Sequence, residues 1–440
     1  MSKDGSTSLN EELLQFLQQS PTPFHAVCNM TNMLEQAGFQ RLDEVSTWEL
    51  KKNGSFFVVR NDSALIAFNV GNGLLLDGGL RLLGAHTDSP CLKVKPVPEI
   101  NRHGYVQLGV EVYGGALLKP WFDRDLSIAG KVEFQTKEGK LNNTLIDFRE
   151  PVAFIPSLAI HLDRKANDGH KINSQKELHP IILQSQNTEK FKLDELLLEL
   201  VRKESRGKSA KQVLSHELFL YDTQPAHLVG LEKQFVASAR LDNLVSCYLG
   251  CKSLIASNRI HGSVLVCNDH EEVGSASITG AQGPFLKSVL KRLIREFHKE
   301  DDAFQRVTHQ SVCLSVDNAH GVHPNFPEKH DDQHCAFLNR GPVIKINANQ
   351  RYASNSQSIA LFKSLCNKLS IPYQSFVMRN DMACGSTIGP ITAAELGVAT
   401  VDIGSPQLAM HSVRELTGCN DPVLLYRALK GFLDQTSLWR

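Results

Sequence analysis

Five places along the chain set metal-capable imidazole or carboxylate groups where strands end or helices begin, most of them beside small, turn-forming neighbours. They are His86 and Asp88 in Gly84-Ala85-His86-Thr87-Asp88, Asp242 in Arg240-Leu241-Asp242-Asn243, Glu271 and Glu272 in Asp269-His270-Glu271-Glu272, Asp317 in Ser315-Val316-Asp317, and His411 in Met410-His411-Ser412. Singly, each has an ordinary reading: Asp242 as a helix N-cap, the paired glutamates as a solvated loop, His86 as a polar strand end. Together they make a donor set suited to a pair of divalent ions. Neutral imidazole and carboxylate bind zinc, a short Asp can bridge two cations through its two oxygens, and manganese or cobalt accepts the same donors. Two such ions about 3.5–4 Å apart lower the pKa of a shared water and polarise a carbonyl. A further carboxylate that does not ligate can carry the water's proton to a leaving amine. Of two adjacent glutamates, one can ligate and the other can serve as base, because neighbouring side chains point apart. Asp88, two residues after His86, is placed to accept a hydrogen bond from the imidazole and fix its tautomer.

Residues so far apart in the chain need a framework that brings them together. The sequence predicts strands at Leu80–Gly84, Ser263–Asn268, Val312–Val316, Val343–Asn347, Tyr373–Met378 and Ala399–Ile403, with four of the metal-capable positions just beyond strand ends. In an open α/β sheet, sites lie beyond the C-terminal ends of the strands. Helical patterns near 242–257, 284–299, 356–369 and 387–396, and after Asn420-Asp421-Pro422, alternate with these strands. That alternation predicts a three-layer α/β fold: a sheet with a parallel core and helices on both faces. Two more helices are expected at the start, one opened by a capping box at Ser8 to Glu11 and one by Pro23. Phe56–Arg60 and Ala64–Val70 read as a hairpin. Residues 92–235 are β-rich, with alternating segments such as Tyr105–Tyr113 and Leu126–Phe134, and a polar stretch from Arg202 to Ser209 expected to be a solvated linker. The expected organisation is a discontinuous α/β catalytic domain of 1–91 and 236–440, interrupted by an inserted β-rich domain of 92–235.

Composition removes several alternatives. Of 440 residues, 47 are Lys or Arg and 47 are Asp or Glu, so no basic excess points to nucleic acid or an anionic membrane. Hydrophobic residues at 42% and charged residues at 21% belong to an ordinary globular protein. No apolar stretch reaches the roughly 18 residues of a membrane helix, and Met1 to Ser8 lacks the apolar core of a signal peptide, so a cytoplasmic chain is expected. The ten cysteines form no C-x-x-C pair and read as small buried hydrophobes in a reducing compartment. His216-Glu217 and His270-Glu271 start like H-E-x-x-H, but Leu220 and Gly274 stand where the second histidine should be. Gly207-Lys208-Ser209 ends like a phosphate loop whose earlier glycine position holds Arg202. No G-x-S-x-G marks a hydrolase nucleophile.

Taken as ordered motifs, the chain resembles the aspartyl aminopeptidase family, dinuclear-zinc exopeptidases that assemble into tetrahedral dodecamers. The resemblance runs from about Phe24 to Phe432 on Gly84 to Pro90, Ser238 to Asn243, Asp269 to Ser275, Ser315 to Asp317 with His323-Pro324-Asn325, and Leu408 to Ser412. It implies that Asp242 bridges two zinc ions, that His86 and Asp317 complete one site, and that Glu272 and His411 complete the other. It makes Glu271 the general base, Asp88 the orienting carboxylate and the β-rich insertion a dimerisation domain. Lys345 in Gly341-Pro342-Val343-Ile344-Lys345 matches the family's cation for an acidic substrate side chain; by itself it reads as a strand-end lysine reaching solvent. His161 in Ala159-Ile160-His161-Leu162 resembles a histidine that reaches a neighbouring subunit's active site; by itself it reads as a strand histidine. The loop from Arg379 to Thr387 follows the family's substrate-cleft loop, with Ala383 where many relatives have proline, and its amides could meet an anion at a helix start. His320, His323, His330 and His334 read as a hydrated loop.

The implied function is a metal-dependent aminopeptidase that hydrolyses the first bond of peptides beginning with Asp or Glu, a metal-bridged water attacking the carbonyl with Glu271 as base. The same donors would serve a broad or leucine-preferring aminopeptidase or an N-acyl amino acid deacylase. A catalytically silent assembly protein is a third reading, but such a descendant need not keep Glu271 and all five ligands.

Overall fold

The computed structural model describes residues 3–184, 191–204 and 207–438. Four of its strands are mostly apolar and buried almost throughout: Arg81–His86, Ser263–Asn268, Val312–Val316 and Ala399–Gly404. Continuous rather than alternating burial belongs to parallel strands covered on both faces. They run parallel, in the order Ser263–Asn268, Arg81–His86, Val312–Val316, Ala399–Gly404. The hairpin Ser55–Arg60 and Ala64–Asn69 adds antiparallel to Ser263–Asn268. On the other side, Val343–Ile346 pairs antiparallel with Ala399–Gly404 and parallel with Gln374–Val377. With Gln40–Arg41 this is a nine-stranded sheet with a parallel centre.

Successive side chains of the central strands serve opposite faces. Leu83, Ala85, Leu265, Cys267, Leu314 and Val316 share a core with Leu13, Leu17, Met30 and Leu34 of the helices Lys3–Gln18 and Pro23–Gln36. Leu244 of Leu241–Ile255 and Leu429 of Asp421–Leu433 belong to that same core. Leu82, Val264, Val266 and Cys313 pack on the other face against Leu290 and Leu293 of Phe285–Phe297 and Val307 of Ala303–Gln310. At roughly 1.5–3 kcal/mol for each fully buried aliphatic side chain, both faces are strongly held. The three-layer architecture expected from the sequence is therefore present. Thr22 caps Pro23–Gln36 through the amide of His25, and Gly38, at φ +82, follows its end. The first helix differs from expectation. It starts before Ser8, whose hydroxyl lies within the helix and donates to Glu12 four residues on.

The chain divides into two compact units. The first, Met1–Asp88, Ala226–Met410 and Glu415–Arg440, holds the large sheet and a five-stranded one that includes Phe235–Ser238, Glu415–Gly418 and Pro406–Leu408. The second, Ser89–Pro225 with His411–Arg414, is a six-stranded sheet containing Cys91–Arg102, Tyr105–Tyr113, Leu126–Thr136 and Ala210–Asp222. All its strand pairs are antiparallel, and its core includes Leu108, Ile128, Phe134 and Leu218. The polar stretch expected as a linker is partly helix. Leu193, Leu197 and Val201 form a buried stripe four residues apart, which extends Leu193–Lys203 through Arg202 and Lys203. Ser205 and Arg206 of that stretch lie outside the described residues. The ten cysteines are all unbridged, and among the described residues no helix is long and apolar enough to cross a membrane.

Candidate active site

Strand register brings the first donors to one level. Asn268 pairs with His86, and Ser315 with Gly84, so Asp317 stands level with His86 and the turn after Asn268 begins beside it. His86 is buried at the strand end, with Nε2 3.4 Å from Asp242 Oδ1 and 3.6 Å from Asp317 Oδ1. Two donors bound about 2.0–2.2 Å from a tetrahedral cation lie roughly 3.3–3.6 Å apart, so this spacing suits a shared ion. Donor atoms of His86, Asp242 and Asp317 fall within 4.8 Å of one another, and so do those of His86, Glu271 and Glu272. Both glutamates sit in the short turn Glu271–Val273, entered through His270 at φ +62.

Asp88 anchors this arrangement from below. Its carboxylate accepts from the amides of Glu271 and Glu272, each at 3.1 Å. Its backbone carbonyl lies 3.1 Å from His86 Nδ1, and its Oδ1 lies 3.4 Å from the same nitrogen. Asp88 therefore orients the imidazole and fixes the glutamate turn. Asn243, which the sequence reading did not single out, is fully buried; its Nδ2 donates to Asp317 Oδ1 at 3.0 Å. The peptide joining it to Asp242 is cis.

Electrostatics show what this pocket lacks. Asp88, Asp242, Glu271, Glu272 and Asp317 all act on the His86 imidazole, and Asp317 also meets the ammonium of Lys345. Burial pushes Glu271 up to about 8; His86 opposes this, while the carboxylates of Asp317, Asp88 and Asp242 add to it. Glu272 is raised well above the ordinary range by burial and then by Asp242. Burial would lower His86, but its bonds to Asp242, Asp317 and Asp88 hold it well up. Burial would raise Asp317, but Lys345 and His86 keep it below the usual carboxylate range. Glu271 and Glu272, raised by burial and then by neighbouring carboxylates, mark a site that favours added positive charge, and the donor types fit zinc.

Three sequence expectations read differently in the fold. Lys345 does not reach solvent: it is 2% exposed, and its Nζ donates to Asp317 Oδ2 and to the Asn318 carbonyl, both at 3.1 Å. His161 lies on an exposed turn of the second unit rather than on a strand, where Ser157 to Asp163 runs between sheet elements. The helix Ile388–Leu396 is capped by Thr387, whose hydroxyl also donates to Asp402 at 2.5 Å, so the anion at this helix start is the protein's own buried Asp402. A Cβ at Gly389 would run into that carboxylate. His411 belongs to the segment that packs with the second unit, where its Nδ1 lies 3.2 Å from the Gly115 carbonyl. Among the described residues, His320, His323, His330 and His334 form no metal-capable group.

Comparison with known proteins bears on this site. The sequence profile of the aminopeptidase I zinc metalloproteases, peptidase family M18, matches residues 16–433. The probable M18 family aminopeptidase 2 of Azotobacter vinelandii is 55% identical over 426 residues, 97% of this chain and 98% of that protein. Among solved structures, Ape4 from a complex with Nbr1 superposes with a TM-score of 0.93 at 38% identity, covering 98% of this chain and 87% of the other. The S. cerevisiae mApe1 dodecamer gives 0.82 at 29% identity, covering 96% and 95%.

Proposed function

The chain belongs to the M18 family of zinc aminopeptidases, and from that premise we propose that it removes N-terminal Asp or Glu from peptides with two zinc ions per subunit. His86 and Asp317 would hold one ion, Glu272 and His411 the other, with Asp242 shared. Manganese or cobalt would be accepted as substitutes. The observation that carries the proposal is the meeting of buried His86, Asp242 and Asp317 with half-buried Glu271 and Glu272 beyond the ends of the parallel strands. When bound, the ions supply a lowered water pKa and polarisation of the scissile carbonyl. Glu271 takes the proton of the attacking water and passes it to the departing amine. Asp88 keeps Glu271 and Glu272 aimed inward through their amides and holds the His86 ring in one orientation. Lys345 spends two of its three N–H donors on Asp317 and Asn318, and the third is proposed to meet the substrate's acidic side chain.

The burial of Lys345 and its pairing with Asp317 favour a second reading, a broad or leucine-preferring aminopeptidase in which Lys345 serves Asp317 rather than substrate. Values of kcat/KM for Asp-, Glu- and Leu-anilides separate the two. Zinc analysis and Asp-anilide hydrolysis before and after chelation test the common part: turnover should disappear with the metal and return with it, and chelator-resistant turnover refutes the metalloenzyme.

The working form is proposed to be a homo-oligomer, a dodecamer of dimers formed through the second unit, in a reducing cytoplasm where ten unbridged cysteines are at home. Leu158, Ile160 and Leu162, 60%, 49% and 74% exposed, flank the exposed His161, which is proposed to reach a neighbouring copy's active site. A scattering mass of one chain would sink this assembly.

A further inference from the structure

The turn that presents Asp242 is not held by its own helix. Arg240 is left-handed, and neither Asp242 nor Asn243 has helical angles, so their amides and the carbonyl of Leu241 must find partners elsewhere. The Asp242 amide donates to Glu415 Oε2 at 3.0 Å. Glu415 Oε1 accepts from Gln407 Nε2 at 3.3 Å, and Gln407 Oε1 accepts from Asn318 Nδ2 at 2.7 Å. Asn318 Nδ2 also donates to the Leu241 carbonyl at 3.0 Å, which returns the path to the turn where it began. Glu415, Gln407, Asn318 and Asp242 are each 3% exposed or less.

We infer that Glu415 is a positioning residue for the metal centre, fixing through this closed ring the separation between Asp242 and Asp317. The inference rests on the metalloaminopeptidase reading and names a residue that touches neither ion nor substrate. Asn318 directly follows Asp317, so one ring ties down the backbone of both acidic donors that face His86 Nε2. The ring also explains why a carboxylate stands at 415. Asp242 N–H and Gln407 N–H both point at this side chain, which must accept twice. A carboxylate accepts at both oxygens, whereas an amide accepts at one and presents N–H at the other. In Glu415→Gln, either orientation of the new amide sets a donor against a donor. Adding Gln407→Glu reverses the polarity of the second link. Gln at 415 then accepts from Asp242 and donates to Glu at 407, which still accepts from Asn318. The total charge is that of the wild type.

Full-length protein loaded with zinc is titrated with a competing chelator, the Co(II) form is examined by visible absorption, and kcat and KM are measured on one anilide. Glu415→Gln should weaken metal binding about tenfold or more, as loss of a partner that orients ligands does, and should alter the Co(II) ligand-field bands. Glu415→Gln/Gln407→Glu should recover most of both. Phe134→Leu, a core change in the second unit, controls for lost stability and should leave affinity and bands unchanged. Wild-type affinity and bands in Glu415→Gln overturn the inference, as does a double variant no better than the single. Should Glu415→Gln fail to fold, Gln407→Met, which removes one donor to Glu415 and the acceptor for Asn318, is expected to lose affinity severalfold, and wild-type affinity there overturns it equally. A wild-type protein that neither binds zinc nor depends on it would instead remove the reading beneath.

Discussion

The two ends of the strand Arg81–His86 meet charge of opposite sign, and the protein treats the two in opposite ways. At its start, Arg81 is fully buried and donates to the carbonyls of Gln435, Gly78 and Gly79. Burial draws its pKa down to about 10, yet dipoles from three carbonyls meet the guanidinium on the spot. At the other end, buried carboxylates crowd His86, with Lys345 paired to one of them. Buried charge that protein groups have already met is scaffolding. Buried charge left in excess is addressed to something from outside. The C-terminal end of this strand is therefore where chemistry belongs, and the N-terminal end is where stability belongs.

Substitutions can break that distinction, and Glu271→Gln should have the largest effect. It should lower kcat by roughly 10²–10⁴ while zinc content and melting temperature stay near wild type. Near-normal turnover would show that the surplus of carboxylates at this end is not used for proton transfer. Arg81→Met should do the reverse. It leaves buried carbonyls without a donor and costs about 2–4 kcal/mol in urea unfolding, with zinc content and kcat/KM of the folded fraction unchanged. A loss of activity without loss of stability would erase the difference between the two ends. Lys345→Ala sharpens the comparison, since it tests whether the cation paired with Asp317 serves substrate or protein. The ratio of kcat/KM for Asp- over Leu-anilide should fall about tenfold, which is about 1.4 kcal/mol; an unchanged ratio assigns Lys345 to Asp317 alone.

The smallest effect concerns pH at the scaffold end. Burial, and then Arg81, lowers the pKa of His261. The unfolded chain thus binds a proton that the folded chain refuses, so stability is full above about pH 6.5 and declines as pH falls through that unfolded value. For a half-exposed ring the decline should stay within about 0.5 kcal/mol, and it should shrink in Arg81→Met. Stability curves against pH for the two proteins provide the check.

The sequence made the parallel strands and the donors at their ends legible, because strands buried on both faces are continuously apolar and a polar residue just beyond them is conspicuous. Asn243 and Glu415 left no such mark. Their importance comes from hydrogen bonds to segments 74 and 173 residues away, and no local pattern encodes those. Lys345 was visible as a cation, but its burial was not, since a lysine at a strand end usually extends into water. The helix start at Thr387 likewise looked open to an anion because Asp402, which fills it, comes fifteen residues later. Arg202 and Lys203 mislead for the opposite reason: a run of charge hides a helix whose apolar stripe lies upstream.

The order of strands in the large sheet governs when this site can exist during synthesis. Val312–Val316 lies between Arg81–His86 and Ala399–Gly404, and the Asp242 turn waits for Glu415. A nascent chain on the ribosome cannot complete the sheet until Ala399–Gly404 has been made. The growing protein is thus born without a working pocket. A hydrolase whose site is stitched together from such distant segments stays inert until the last of them has emerged.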